Sequence, residues 1–415
     1  MGKLKRSANK DELRGGYTTG ACAAASARAA VRMLVTQQSF SNIEIILPNK
    51  QAATFELHRL ETNVDATSYG LDQPNSSVMQ SVLAGIIKDA GDDPDCTHGI
   101  EIQCTAKWSQ KPGIELKGGK GIARVTLPGL ELQVGEPAIN PVPRANIVAM
   151  VSLELAQLQV TNSSALLNHG VELTISAPRG EEVAKETISE RLGLIGGISI
   201  LGTRGTVKPY STSAFAASVR QSIQIAAANK LDHVVLTTGS RSEKAAMDLF
   251  SQLGDMAFIQ AGDFMGIGLR ASKRYQINKV SMVVMMGKMG KLISGKMMTH
   301  VSGHAIDFNL LAELAKQEGM DPQVCEQILK ANTGRHVLDI VRQYEARGFF
   351  TRLCKESLDQ ANKYINYALE TEMILIDFDG TPLGRFAKQD ELANTANANN
   401  LTAMNDMNKG RNDNG

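Results

Sequence analysis

The sequence has few of the residues that stabilise disulfide-rich or zinc-binding proteins. It contains 5 cysteines, an odd number, and no two of them form a CxxC pair. These spacings argue against a disulfide framework and a structural zinc site. No apolar run reaches the roughly 18 residues that span a bilayer, and no apolar signal-peptide segment follows the basic N-terminus. We therefore expect reduced thiols, a cytoplasmic location and no membrane partner.

The sequence also lacks an excess of charge of either sign. Its 44 lysines and arginines balance 43 aspartates and glutamates, which leaves a net charge of +1. Surfaces that bind nucleic acid usually carry a basic excess, so we expect no nucleic-acid partner. A chain of 415 residues is too long for one core of ordinary size and predicts more than one domain.

Glycine, by contrast, is concentrated in one stretch, residues 193–209. Five glycines there surround the short apolar run 198–201. Glycine is unfavourable in a buried strand, so this pattern indicates backbone kept bare for the close approach of a ligand. The alternative is a glycine-rich crossover between two domains, and the pattern leaves both open. The predicted ligand contacts are Gly196, Gly197, Ser199, Gly202 and Thr203.

A second glycine turn precedes an alanine-rich run that is typical of a helix. Thr18 and Thr19 stand where a helix cap is expected, directly after the segment Gly15-Gly16-Tyr17. The free amides and the dipole of a helix N-terminus favour an anion. We therefore predict that the two threonines contact an anionic ligand, with an ordinary capped helix as the alternative.

Two clusters hold candidates for acid–base or metal chemistry. The turn 88–98 carries four aspartates, among them Asp89 and Asp92, without the spacing of an EF-hand. It predicts either a polar site or a solvated turn. His300 and His304 stand four residues apart with Gly303 between them. We interpret His300 as a helix cap or substrate contact and predict no resident metal.

The order of predicted elements changes along the chain. Short alternating strands dominate residues 43–134 and predict an N-terminal α+β domain, 13–190, with mixed or antiparallel strands. Repeated β–α units then predict a Rossmann-like α/β domain with a parallel sheet over 191–385. The polar segment 388–415 predicts a disordered tail.

Within the second domain, two strand ends carry the pattern of a nucleotide site. A predicted strand ends in Thr238, Gly239 and Ser240, and the next ends in Asp263. In nucleotide-binding α/β folds, the glycine turn lets the ligand approach the backbone, and the acid on the neighbouring strand accepts hydrogen bonds from ribose hydroxyls. The basic residues Lys288 and Lys291, together with Arg144 before a predicted helix, suit anionic groups of a ligand. Each feature also fits an ordinary loop.

Five blocks of this sequence resemble the CbiD family of the anaerobic corrin pathway. They read LRGGYTTGACAAA at 13–25, KDAGDDPDCTHG at 88–99, GEPAINPVPR at 135–144, RLGLIGGISILGTRG at 191–205 and GDFMG at 262–266. The resemblance implies methyl transfer from S-adenosyl-L-methionine to C-1 of a cobalt-bearing tetrapyrrole, with cobalt present only as part of the substrate. It also implies a cytoplasmic enzyme, compatible with a homodimer and with contacts to other enzymes of the pathway.

Such a reaction requires a residue that removes a proton from the ring after methyl transfer. Among the polar candidates we favour Asp89 or Asp92 over His300. Two alternative functions fit the same residues: a dinucleotide-dependent oxidoreductase, and a non-catalytic tetrapyrrole-binding protein.

Overall fold

A computed structural model describes residues 13–62, 81–160, 170–299, 305–344 and 346–387. The chain divides into two compact units, residues 1–212 and 213–415. The predicted tail, 388–415, lies outside the described residues. Among the helices that are described, none is both long and apolar enough to cross a membrane.

The first unit combines many short strands with a few helices. Its helices are α1 (Thr19–Thr36), α2 (Pro141–Val160) and α3 (Gly180–Ala184). Its strands are β1 (Gly16–Tyr17), β2 (Asn42–Ile46), β3 (Ala52–Glu56), β4 (Arg59–Thr62), β5 (Ser81–Ile87), β6 (Glu101–Ser109), β7 (Ile114–Gly118), β8 (Gly121–Ile122), β9 (Arg124–Val125), β10 (Gly170–Ser176), β11 (Leu194–Ile195), β12 (Gly197–Ile198) and β13 (Thr206–Val207).

A five-stranded sheet and two long helices form the core of this unit. The strand order is β4-β5-β6-β10-β7, and only the β10–β7 pair is parallel. The mixed and antiparallel strands predicted for this region are therefore confirmed. Alanines fill the buried surface of α1, and their small side chains let α1 and α2 approach closely. The hydroxyl of Thr18 caps the start of this helix by accepting the amide of Ala21, and Gln37, with a left-handed backbone, caps its end.

The glycine-rich stretch belongs to the first unit. Its strands β11, β12 and β13 pair with β9, β8 and β1. The predicted domain boundary between residues 190 and 191 thus differs from the observed division at 212/213. The order of predicted elements suggested that a new domain begins at residue 191, but β11, β12 and β13 pair with strands that precede them in the chain.

The second unit is built from β–α units. Its helices are α4 (Thr212–Ala228), α5 (Ser240–Leu249), α6 (Met265–Arg274), α7 (Met286–Leu292), α8 (Phe308–Gln317), α9 (Pro322–Leu329), α10 (Gly334–Gln343) and α11 (Arg347–Tyr364). Its strands are β14 (His233–Thr237), β15 (Phe258–Gln260), β16 (Lys279–Met285), β17 (Glu370–Ile376) and β18 (Pro382–Ala387).

Four of these strands are parallel, in the order β15-β14-β16-β17, and β18 closes the edge antiparallel. The predicted parallel sheet is confirmed. The order differs from that of a Rossmann sheet and matches the first four positions of a flavodoxin-like sheet. Alternate strand residues face two separate apolar clusters, with Val234 and Leu236 in one and Val235 in the other. Both faces are therefore buried, as the continuous apolar strands require.

Candidate functional site

In the first unit, the N-terminus of α1 is held by the glycine-rich stretch. The amide of Gly20 donates to the carbonyl of Leu201 at 3.0 Å, and that of Thr18 donates to Gly205 at 3.0 Å. The hydroxyl of Thr19 donates to the carbonyl of Ser199 at 3.1 Å and accepts the amide of Leu201 at 3.0 Å. The structure thus brings Thr18, Thr19 and Ser199 together. It also shows that protein groups already occupy amides which the sequence suggested were free for an anion.

The glycines of this stretch have different surroundings. A Cβ at Gly197 would lie 2.8 Å from the nitrogen of Ile122 and still nearer the carbonyl of Gly121. A Cβ at Gly202 would lie 2.6 Å from the hydroxyl of Thr18. At Gly196, with φ +86°, it would meet no atom within 4 Å. The absence of a side chain at Gly197 and Gly202 therefore allows close internal packing. At Gly196 the backbone borders open space.

The acidic turn packs against the segment that precedes α1. Arg14 forms a bidentate ion pair with Asp89, and its Nη2–Oδ1 distance is 2.9 Å. The backbone amide of Arg14 donates to Asp92 Oδ2 at 2.6 Å. The bonds from Arg14 and from the Gly91 amide lower the pKa of Asp89 to about 2. The two predicted aspartates thus lie together, and Asp89 is fully ionised at neutral pH.

The same turn contains three residues that sequence reasoning did not select. Lys88 is fully buried and pairs with Asp95 at 2.6 Å. Burial opposes ionisation of Asp95, but the bonds from Lys88 and Thr97 hold its pKa below the usual value. His98 accepts the amide of Ala90 at Nδ1, 3.1 Å away. The sequence signal for this ion pair was Lys88 at the end of an apolar strand, with Asp95 seven residues later.

Arg144 lies in the first turn of α2, beside the glycine-rich stretch. The amide of the preceding Asn140 donates to the carbonyl of Ile200 at 2.9 Å. The Nη2 atom of Arg144 is buried and has no hydrogen-bond partner among the described residues. A buried donor without a partner costs about 1–3 kcal/mol. Binding of a carboxylate by this guanidinium stays a prediction, and the buried nitrogen without a partner is compatible with it.

In the second unit, the predicted turn lies at the carboxyl end of β14. Gly239 has φ +156°, and a Cβ there would meet no atom within 4 Å. The amide of Thr238 donates to the hydroxyl of Ser242 at 2.9 Å, which fixes the turn onto the first turn of α5. Ser240 is the first residue of that helix. Open space thus lies beside the N-terminus of α5, at the sheet edge where α/β folds bind ligands.

Asp263 follows β15 and is engaged by neighbouring side chains. Its carboxylate forms an ion pair with Lys288 and accepts the hydroxyl of Thr299. Lys291 donates to the carbonyl of Thr299 at 2.9 Å. The structure therefore gathers Asp263, Lys288 and Lys291, but it uses them to hold residue 299. His300 lies outside the described residues. Thr203, in the first unit, is exposed.

Comparisons with known proteins match nearly the whole chain. Residues 6–209 match the family model CbiD, and residues 298–386 match the model CbiD, C-terminal domain. A protein of Geobacillus sp. (strain WCH70) named cobalt-precorrin-5B C(1)-methyltransferase is 44% identical over 92% of this chain and 98% of its own. One of the same name from Leptospira borgpetersenii serovar Hardjo-bovis (strain JB197) is 42% identical over 90% of this chain and 95% of its own.

A crystal structure of a cobalamin biosynthesis protein (cbiD) from Archaeoglobus fulgidus is also similar. It shares 22% identity and covers 74% of this chain and 85% of its own, with a TM-score of 0.35.

Proposed function

Because the chain belongs to the CbiD family, we propose that it methylates C-1 of cobalt-precorrin-5B, which gives cobalt-precorrin-6A in cobalamin biosynthesis. The observation that carries this proposal is identity along almost the full length of relatives that bear this name. The chain is accordingly a C-methyltransferase with a tetrapyrrole substrate, and the cobalt arrives with that substrate.

The methyl donor that we propose is S-adenosyl-L-methionine, whose sulfonium supplies an activated methyl group. The residues at the carboxyl edge of the second unit fit such a ligand, because the backbone at Gly239 borders open space and the exposed Ser240 follows it. The hydroxyl of Thr238 already contacts that of Ser242 at 3.2 Å. A ribose hydroxyl at Asp263 would have to compete with Lys288 and Thr299. In the first unit, Gly196 borders open space, whereas Gly197 and Gly202 pack on backbone and Thr18.

The contribution of the protein to this reaction is binding, alignment and exclusion of water. Holding two reactants at the correct distance and angle can supply about 7–11 kcal/mol of the barrier. Arg144 offers a buried guanidinium nitrogen to a carboxylate of the macrocycle. The hydroxyls of Thr18 and Thr19 and the ammonium groups of Lys288 and Lys291 already bond to the protein. Arg144 is therefore our first candidate for substrate binding.

For the proton that leaves the ring, the geometry favours Asp92 over Asp89. Both oxygens of Asp89 bind Arg14, and its pKa near 2 makes it a weak base. Asp92 is exposed and accepts one backbone amide. We propose that Asp92 accepts the proton and that Asp89 positions Arg14.

The test is turnover of cobalt-precorrin-5B with the sulfonium donor, followed by mass spectrometry. We expect wild-type protein to add one methyl group to the ring. Asp92→Asn should lower kcat by about 10²-fold, whereas Asp255→Asn, which changes an exposed aspartate of the second unit, should leave it unchanged. Absence of methylated product from wild-type protein would overturn the proposal.

Two further measurements separate this function from its alternatives. Arg144→Met should raise KM for the macrocycle and leave kcat unchanged, with Arg179→Met as the control at an exposed arginine. Titration with S-adenosylhomocysteine and with NAD should show binding of the first only. Binding of NAD instead would favour the oxidoreductase, and binding of the ring alone would favour a tetrapyrrole carrier.

A further inference from the structure

A cavity of about 430 Å³ in the second unit lies between α5 and the turn that joins β17 to β18. Arg241, Lys244 and Asp248 line it from the helix, and Phe378 and Asp379 line it from the turn. The helix wall begins directly after Thr238 and Gly239, at the carboxyl end of β14. The cavity thus lies along the helix whose N-terminus follows the open backbone at Gly239.

The walls of this cavity carry charges of both signs. Within the part of the chain that the structure describes, Arg241, Lys244 and Asp248 take part in no ion pair, although Lys244 and Asp248 are one helical turn apart. Asp379 accepts the amide of Thr381 at 2.9 Å, and this bond lowers its pKa. Ion pairs form elsewhere in the unit, as between Arg342 and Asp377 at 2.5 Å. In this cavity, by contrast, Arg241 and Lys244 form no ion pair with Asp248 or Asp379, although all four line it.

The pattern of charges selects the chemistry of a ligand. A simple anion would be attracted by Arg241 and Lys244 but repelled by Asp248 and Asp379. A simple cation would be attracted by Asp248 and Asp379 but repelled by Arg241 and Lys244. A zwitterion, with a carboxylate and an ammonium a few ångströms apart, can satisfy both pairs. The α-amino-acid end of the methyl donor is such a group.

We propose that this cavity binds the amino-acid end of the sulfonium methyl donor. The carboxylate of the ligand pairs with Arg241 and Lys244, and its ammonium pairs with Asp248 and Asp379. This assignment rests on the proposed function, because it takes the ligand from the methyl-transfer reaction. The adenosyl part of the ligand then extends towards Gly239, where a Cβ would meet no atom within 4 Å. The ring of Phe378 is covered by Arg335, whose guanidinium carbon lies 4.7 Å from the ring centroid.

The test compares two probes by isothermal titration calorimetry of the full chain. S-adenosylhomocysteine carries the amino-acid end, and 5′-methylthioadenosine lacks it. Lys244→Met and Asp248→Asn should each raise the Kd of S-adenosylhomocysteine by about tenfold, the effect of one charge-assisted hydrogen bond. Neither should change the Kd of 5′-methylthioadenosine. Lys316→Met is the matched control, since it removes an exposed lysine that does not line the cavity.

The outcomes separate this assignment from the reaction itself. An unchanged Kd for S-adenosylhomocysteine in both variants would overturn the assignment, as would an equal loss for the two probes. In either case methyl transfer by the wild-type protein would leave the proposed function intact. If wild-type protein transfers no methyl group and binds neither probe, the proposed function and the assignment both fail.

Discussion

Two neighbouring glycines, Gly196 and Gly197, allow the purpose of the glycine-rich stretch to be tested. An alanine at Gly197 would place its Cβ 2.8 Å from the nitrogen of Ile122, where ordinary contact begins at 3.4 Å. The obstructing atoms belong to the backbone of β8, which cannot rotate away as a side chain can. The paired strands β8 and β12 would have to separate by more than half an ångström.

The expected cost follows from these contacts. Overpacking costs about 1–3 kcal/mol, and weakening the bonds between the two strands adds about 1 kcal/mol. We therefore expect Gly197→Ala to lower the free energy of unfolding by about 3 kcal/mol. Gly196→Ala meets no atom within 4 Å and suffers only from its φ of +86°, at about 1 kcal/mol.

The assay is urea denaturation followed by the fluorescence of Trp108. This is the one tryptophan of the sequence, and it lies on β6 of the first unit, so the signal reports the unit that contains both glycines. With a urea m-value of about 2 kcal/mol per M, a loss of 3 kcal/mol lowers the midpoint by about 1.5 M. The urea midpoint of the Gly196→Ala variant should fall by about a third as much.

The reasoning is refuted if Gly197→Ala unfolds at the same urea concentration as Gly196→Ala. A Gly197→Ala protein of wild-type stability that no longer binds S-adenosylhomocysteine would show instead that the bare backbone serves a ligand. Loss of stability without any change of ligand affinity in the remaining folded protein would confirm the internal role.

Three further predictions concern buried or paired side chains. Glu154→Gln should lower the stability of the first unit by about 3 kcal/mol, because the buried carboxylate pairs with two arginines, whereas Glu182→Gln at an exposed pair should have little effect in the same urea assay. The pKa of Asp89 is lowered from 3.8 to about 2, so the stability that its ion pair contributes is present above about pH 4 and is lost as the pH falls through 2. In acid denaturation, the Asp89→Asn variant should therefore lose slightly less stability between these pH values than the wild-type protein loses. Ser281→Ala should lower the melting temperature of the second unit by circular dichroism, since its hydroxyl bonds both His233 at 2.9 Å and the buried Glu372 at 2.7 Å. An unchanged melting temperature would contradict this account of the Ser281 hydroxyl.

The sequence by itself determined the class of each half and the family. Alternating short strands indicate a mixed sheet, and continuous apolar strands separated by helices indicate a parallel one, because the two patterns reflect burial on one face or on both. The five glycine- and aspartate-rich blocks sufficed to identify the family, which the relatives confirm. The helix from Thr19 and its cap at Thr18 were likewise local properties of the chain.

Tertiary structure alone decided which groups already have partners. The pairing of Asp263 with Lys288, 25 residues away, and of Asp89 with Arg14, 75 residues away, has no local signal. The same holds for Gly197, whose obstruction comes from Gly121 on a paired strand. Residue type shows which chemistry a side chain can perform. Whether it is available depends on contacts between distant segments, because only the folded backbone brings those segments within hydrogen-bonding distance.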